Sequence, residues 1–130
     1  MFKNGEFTSH AGKKLSWKIE CDSLDRNDIT TICELIASKF AFKEAYCPVT
    51  NSHFVNDMTR FLNHYHATKN CSQILIVDDV LTTGKSMEER RQNLIRQNVL
   101  YSHIKGVVLF SRGECPRWIT PIFTLNKKFK

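Results

Sequence analysis

Two adjacent carboxylates, Asp78 and Asp79, close the apolar run Gln73-Ile74-Leu75-Ile76-Val77 and open the segment Val80-Leu81-Thr82-Thr83-Gly84-Lys85-Ser86. A run of this composition predicts a strand buried on both faces that ends at the acids. The hydroxyl- and Gly-containing turn then leads into a helix N-terminus, where main-chain N–H groups and the helix dipole favour a phosphate. Carboxylates accept hydrogen bonds from vicinal sugar hydroxyls, while Thr82, Thr83, Ser86 and the amides beside them hold a phosphate. The combination points to a sugar phosphate. A Walker A loop is excluded, because the glycine it needs five positions before Gly84 is Asp79. An ordinary strand followed by a capped helix explains the apolar run and a Ser86/Glu89 capping box, but not two acids side by side at a strand end.

The elements that must position these residues are legible on either side. Asp25, Asn27 and Asp28 supply capping oxygens ahead of Ile29, Ile32, Cys33, Ile36, Ala37 and Phe40, whose spacing predicts a helix over residues 27–41. Glu44 to Thr50 reads as a strand closed by Pro48, Asn51 and Ser52, and Phe54, Met58, Phe61, Leu62 and Tyr65 repeat at helical spacing. After the acid-bearing strand, Met87, Leu94 and Ile95 mark a third helix to about Gln97. Ile104 to Ser111 is a further buried strand, and Trp118 to Leu125 a last apolar segment. Residues 4–24 are irregular, with Phe7, Leu15, Trp17 and Ile19 as apolar anchors. Alternating strands and helices with short loops predict an α/β domain with a parallel, Rossmann-like sheet, both faces covered and right-handed crossovers. Ligands of such sheets bind beyond the carboxyl ends of the strands.

The 130 residues suit one domain, with 42% hydrophobic and 25% charged residues arguing against disorder. The longest apolar runs fall well short of the roughly 20 residues of a bilayer span, so no membrane association and a cytoplasmic location are expected. Cys21, Cys33, Cys47, Cys71 and Cys115 form no Cys-x-x-Cys pair, which leaves reduced thiols as the expectation. The net charge of +6 is unevenly placed: nine Lys/Arg face ten Asp/Glu over residues 1–84, against ten and three over 85–130. Such a bias suits a phosphorylated ligand or nucleic acid, although a solvated basic surface explains Arg112, Arg117, Lys127, Lys128 and Lys130 equally well. His64 and His66, two apart on a helix, face different directions and make a poor metal pair.

The stretch Ile74 to Ser86 closely resembles the phosphoribosyl pyrophosphate (PRPP) motif of type I phosphoribosyltransferases: apolar residues, two acids, two further residues, then Thr-Gly. The resemblance implies that Asp78 and Asp79 contact ribose hydroxyls as the catalytic acids, and that Val80, Leu81, Thr82, Thr83, Gly84, Lys85 and Ser86 wrap the 5′-phosphate. Lys85 stands where a second glycine is common. Residues 1–24 look like the N-terminal hood of orotate phosphoribosyltransferases, leaving 25–130 as the α/β core. Tyr46 to Leu62 looks like the strand, diphosphate loop and helix that follow. By this resemblance the protein moves phosphoribose between PRPP and a nucleobase, with Mg²⁺ bound alongside PRPP, and a homodimer is common in the family. Trp118, Phe110 and Phe123 are candidates to stack on the base, with core packing the simpler account of each.

Two departures qualify this expectation. The diphosphate loop would be Thr50-Asn51-Ser52-His53 in place of the usual glycines, with a surface or helix-start histidine the simpler account of His53. Between the helix ending near His66 and the strand starting at Gln73, the family inserts further strands and a long loop that closes over the reaction; this chain has only Ala67 to Ser72. Without that lid, water competes for the reactive sugar. The alternative function is therefore an inactive ligand-sensing or nucleic-acid-binding regulator that retains the phosphoribose site.

Overall fold

A computed structural model describes residues 26–123, in which three α-helices and the first three strands alternate and a fourth strand follows the third directly. They are α1 (Arg26–Lys39), β1 (Glu44–Tyr46), α2 (His53–Tyr65), β2 (Ile74–Leu81), α3 (Lys85–Arg96), β3 (Ile104–Ser111) and β4 (Ile119–Phe123), with a 3₁₀ turn at Tyr101–His103. The hood assigned to residues 1–24 lies outside the described residues, as does the tail beyond Phe123.

Helix boundaries follow local chemistry. Ser52 caps α2, its hydroxyl accepting from the Val55 N–H at 3.3 Å. At the end of α3, Asn98 takes a left-handed conformation, φ 70°. Its N–H donates to Ile95 O and that of Val99 to Leu94 O, both at 3.0 Å, the hydrogen-bond pattern of a Schellman stop. The expected Ser86/Glu89 capping box is not formed. Gly84 is the N-cap of α3 without a side-chain cap, and Ser86 is the second helical residue.

All strands are parallel, in the order β1-β2-β3-β4. Alternation along β2 divides the core. Leu75 and Val77 join Ile32, Ile36, Val55, Met58 and Leu62 of α1 and α2, whereas Ile74 and Ile76 join Met87 and Leu94 of α3. Both faces are therefore covered, as alternating elements require.

The same division corrects the expected handedness. Successive strands step in one direction across the sheet, yet α2 and α3 lie on opposite faces, so the β1–α2–β2 and β2–α3–β3 crossovers must have opposite hands. One of them is left-handed, against the strong general preference.

β1 is short and its outer edge is closed by a side chain. The Ala45 N–H donates to Asn63 Oδ1 at 2.7 Å, and Asn63 Nδ2 donates to Ala45 O at 2.9 Å. This two-point amide pair imitates a neighbouring strand and blunts the edge. Asn63→Leu should lower stability by about 1–3 kcal/mol, because both Ala45 groups lose their partner; urea unfolding of the two proteins measures it, and an unchanged midpoint would remove Asn63 from this role.

Cys33 is fully buried on α1, its thiol donating to Met58 O at 3.5 Å. Burial, with a smaller contribution from Glu34, pushes the thiol pKa up to about 12, so almost no thiolate exists at neutral pH. In the native protein at pH 7.5, a maleimide reagent should label the half-buried Cys47, Cys71 and Cys115 well before Cys33, which peptide mapping would read directly.

Candidate functional site

The site is built where β2 outruns β1. Tyr46, the last residue of β1, pairs with Ile76, so residues 77–81 of β2 are flanked by a strand only on the β3 side. Contrary to the sequence expectation, the strand does not stop at the acids. It continues to Leu81, with Asp78, Val80 and Leu81 in register with Val108, Phe110 and Ser111. The carboxylates are accommodated by turning back on the chain. Asp78 Oδ1 accepts from the Asp79 N–H at 2.8 Å and Asp79 Oδ1 from the Val80 N–H at 2.7 Å.

Strict alternation is interrupted at the acids, since Val77 and Val80 share one core cluster and Ile76 and Leu81 the other, and the two acids differ in exposure. Asp79 is buried, 8% exposed. Asp78 is half-buried and lines a cavity of about 80 Å³ together with Val80 and the turn Leu81 to Met87. The structure thus gathers Asp78, Thr82, Thr83, Gly84, Lys85 and Ser86 around one small space and leaves Asp79 outside its lining. A larger groove of about 500 Å³ shares Thr83 to Lys85 but runs along α3 to Arg96 and Trp118, and includes neither acid.

The turn itself is set by Gly84. Gly84 has φ 77°, which a side chain rarely adopts, and an added Cβ would lie 3.2 Å from Leu81 Cδ1. The Lys85 N–H is taken by Thr83 Oγ1 at 3.3 Å, and that of Glu88 by Gly84 O at 2.9 Å. Helix geometry leaves the intervening N–H groups of Ser86 and Met87 without intrahelical acceptors. Thr82, Thr83 and Lys85 are exposed beside them.

The segment expected to hold diphosphate is brought to the same place by bonds that local sequence patterns did not reveal. Ser86 Oγ accepts from the Thr50 N–H at 2.7 Å and donates to Thr50 O at 3.1 Å, while Arg90 Nε donates to Cys47 O at 2.9 Å. Ser86 and Arg90 are four apart, on one face of α3. That spacing was the available signal for a shared partner. Within the loop, Asn51 Nδ2 donates to Pro48 O at 3.0 Å, the Ser52 hydroxyl caps α2, and His53 is the exposed first residue of that helix.

The aromatic candidates lie in different surroundings. Phe110 and Phe123 stack with each other, ring centroids 5.5 Å apart. Trp118 lies at the amino end of β4, beside the Ile119–Gly106 pairing, with the Arg91 guanidinium 4.5 Å from its ring centroid. Trp118 also lines the larger groove together with Thr83, Gly84 and Lys85. His64 sits edge-on to Tyr65 and His66 near Phe61, in line with their expected divergence.

Among the described residues no group of three or more His, Cys, Asp and Glu is placed to hold a metal ion. No helix of the described residues is long and apolar enough to cross a membrane. Against known proteins, no family model, no curated protein and no solved structure matches this chain.

Proposed function

We propose that this chain binds a phosphorylated ribose compound, PRPP or a nucleoside 5′-monophosphate, as a reduced type I phosphoribosyltransferase-like domain. The observation that carries the reading is the left-handed Gly84 turn, which joins acid-bearing β2 to the N-terminus of α3 with Asp78 lining the same cavity. Asp78 accepts hydrogen bonds from the ribose hydroxyls. The Ser86 and Met87 amides, the Thr82 and Thr83 hydroxyls and the Lys85 ammonium face the 5′-phosphate.

The reversed crossover supports the same reading. If β2–α3–β3 has the usual hand, β1–α2–β2 has the rare one. A usual-handed unit would carry α2 to a strand on the far side of β1. Removing such a strand, as the absence of the family's insertion implies, leaves α2 on its face but leads it straight to β2.

In the active form of this reading, phosphoribose passes between PRPP and a nucleobase, PRPP bringing its own magnesium. The binding-only form, a ligand-sensing module, is favoured by one observation. The connection after α2 is short and tied down: the Thr68 N–H donates to Phe42 O at 2.8 Å, Gln73 Nε2 to Ala41 O at 2.8 Å, and the Lys43 N–H to Gln73 O at 2.7 Å. A segment so fixed does not close over a sugar. Calorimetry with ribose 5-phosphate, nucleoside 5′-monophosphates and PRPP with magnesium tests the shared claim, and silence toward all of them would end it. Diphosphate release over a panel of bases then separates the two forms, turnover supporting transfer and binding without turnover supporting the sensor.

A further inference from the structure

We infer that the ligand continues past its phosphate: the groove along α3 takes a second nucleoside, joined through that phosphate, with its base packed against Trp118. This inference rests on the phosphoribose reading above and extends its ligand class from a mononucleotide to a dinucleotide.

The two spaces at the Gly84 turn differ in size and in lining. The cavity beside Asp78 has about 80 Å³, well under the roughly 300–1,000 Å³ of ordinary small-molecule sites, and seats no more than a sugar and its phosphate. The groove, at about 500 Å³, lies within that range. Thr83, Gly84 and Lys85 line both spaces. A phosphate held at this turn, with its sugar toward Asp78, therefore has the groove on its far side. What enters the groove is attached through the phosphate and not through the anomeric carbon of that sugar.

The lining suits a flat, uncharged group. Trp118 is held from two directions: the Arg91 guanidinium lies 4.5 Å from its ring centroid, and a Cβ added at Gly106 would lie 3.0 Å from Trp118 Cζ3. Arg91 is fixed in turn, 4.8 Å from the Tyr101 ring centroid and with Nη1 donating to Glu88 Oε1 at 3.1 Å. A ring so held is a preorganised stacking surface. Much of the remaining lining comes from one face of α3, where Glu88, Glu89, Gln92, Asn93 and Arg96 recur at helical spacing. Gln92 Nε2 donates to Glu88 Oε2 at 2.8 Å and Arg96 Nη1 to Asn93 Oδ1 at 2.7 Å, which leaves Gln92 Oε1 and Asn93 Nδ2 to meet the edge of a base. Lys85 and Arg96 balance Glu88 and Glu89, and the two acids oppose a further phosphate between them and the turn.

The test is calorimetry on the full chain with ribose 5-phosphate, adenosine 5′-monophosphate (AMP), diadenosine 5′,5′-diphosphate and adenylyl-3′,5′-adenosine. Both dinucleotides contain AMP with a second adenosine beyond its phosphate, and adenine serves because every base has a face to stack. At least one of them should bind about tenfold or more tighter than AMP, the gain expected of one stacked base. A gain in either supports the inference, and the compound that shows it tells a diphosphate bridge from a phosphodiester. Trp118→Ala should remove most of that gain while AMP affinity stays within about twofold of wild type. Dinucleotides that fall short of the gain, or a loss in Trp118→Ala that is equal for AMP and the dinucleotide, overturn the inference and leave the phosphoribose reading in place. AMP that exceeds ribose 5-phosphate by about tenfold and loses this advantage in Trp118→Ala would put the nucleotide's own base in the groove, and overturns it as well. Wild type that binds none of the four removes the phosphoribose reading and the inference with it. Should Trp118→Ala fold poorly, Gln92→Ala on the exposed side of α3 gives the same readout, its gain lowered about threefold or more, and an unchanged gain counts against the inference.

Discussion

Phe42→Ala should cost about 3–5 kcal/mol of stability, the loss expected when a fully buried aromatic ring is truncated and its cavity only partly collapses. Phe42 is 0% exposed and belongs to the core shared by α1, α2 and β2, although it sits in the loop between α1 and β1. Its carbonyl accepts the Thr68 N–H, so one residue joins the entry to β1 with the connection that leads into β2. A domain of this size has about 5–15 kcal/mol in all, and the variant would lose a large share of it. Urea unfolding followed by circular dichroism gives the difference. A loss below about 1 kcal/mol would mean that the site refills on truncation and that the joint depends on backbone bonds alone.

Asp78→Asn should abolish most ligand binding. The substitution keeps the shape and the oxygen that accepts the Asp79 N–H, but removes the charge on the wall of the cavity. Losing charge-assisted hydrogen bonds to sugar hydroxyls is worth about 1.5–3 kcal/mol, or at least tenfold in affinity for ribose 5-phosphate. Asp79→Asn is the informative partner. Its oxygen can still accept the Val80 N–H, while its new amide donors enter a nearly buried position and cost stability of about 1–3 kcal/mol. Calorimetry on both variants, alongside melting curves, should show affinity falling with Asp78 and stability falling with Asp79. The opposite pattern would reverse the roles of the two acids.

The difference between these acids illustrates what was legible beforehand. Their chemistry and their place beside a glycine turn follow from residue type and order, and the segment from Ile74 to Ser86 carries both. Their placement within a paired strand depends on β2 continuing to Leu81, which the abrupt end of the apolar run argued against. Strand pairing with β3 overrode that local signal, as the register from Asp78 to Leu81 against Val108 to Ser111 shows. The helices fared better. Residues 27–41 were expected where α1 spans Arg26–Lys39, and the periodic run from Phe54 to Tyr65 became α2, because helical spacing repeats within one segment. The Ser86/Glu89 box failed for a physical reason that no local pattern holds: the Ser86 hydroxyl found a better use on Thr50.

Sequence by itself determined the element order, the buried strand with its acid pair and the glycine turn, since each is written in neighbouring residues whose periodicity and backbone preferences act locally. The tertiary structure alone decided which acid lines the cavity, that α2 and α3 lie on opposite faces, and that the Thr50 segment is bonded to α3. Those outcomes depend on sheet register and on partners 36 and 43 residues apart, Thr50 with Ser86 and Cys47 with Arg90, which meet only once the sheet has formed.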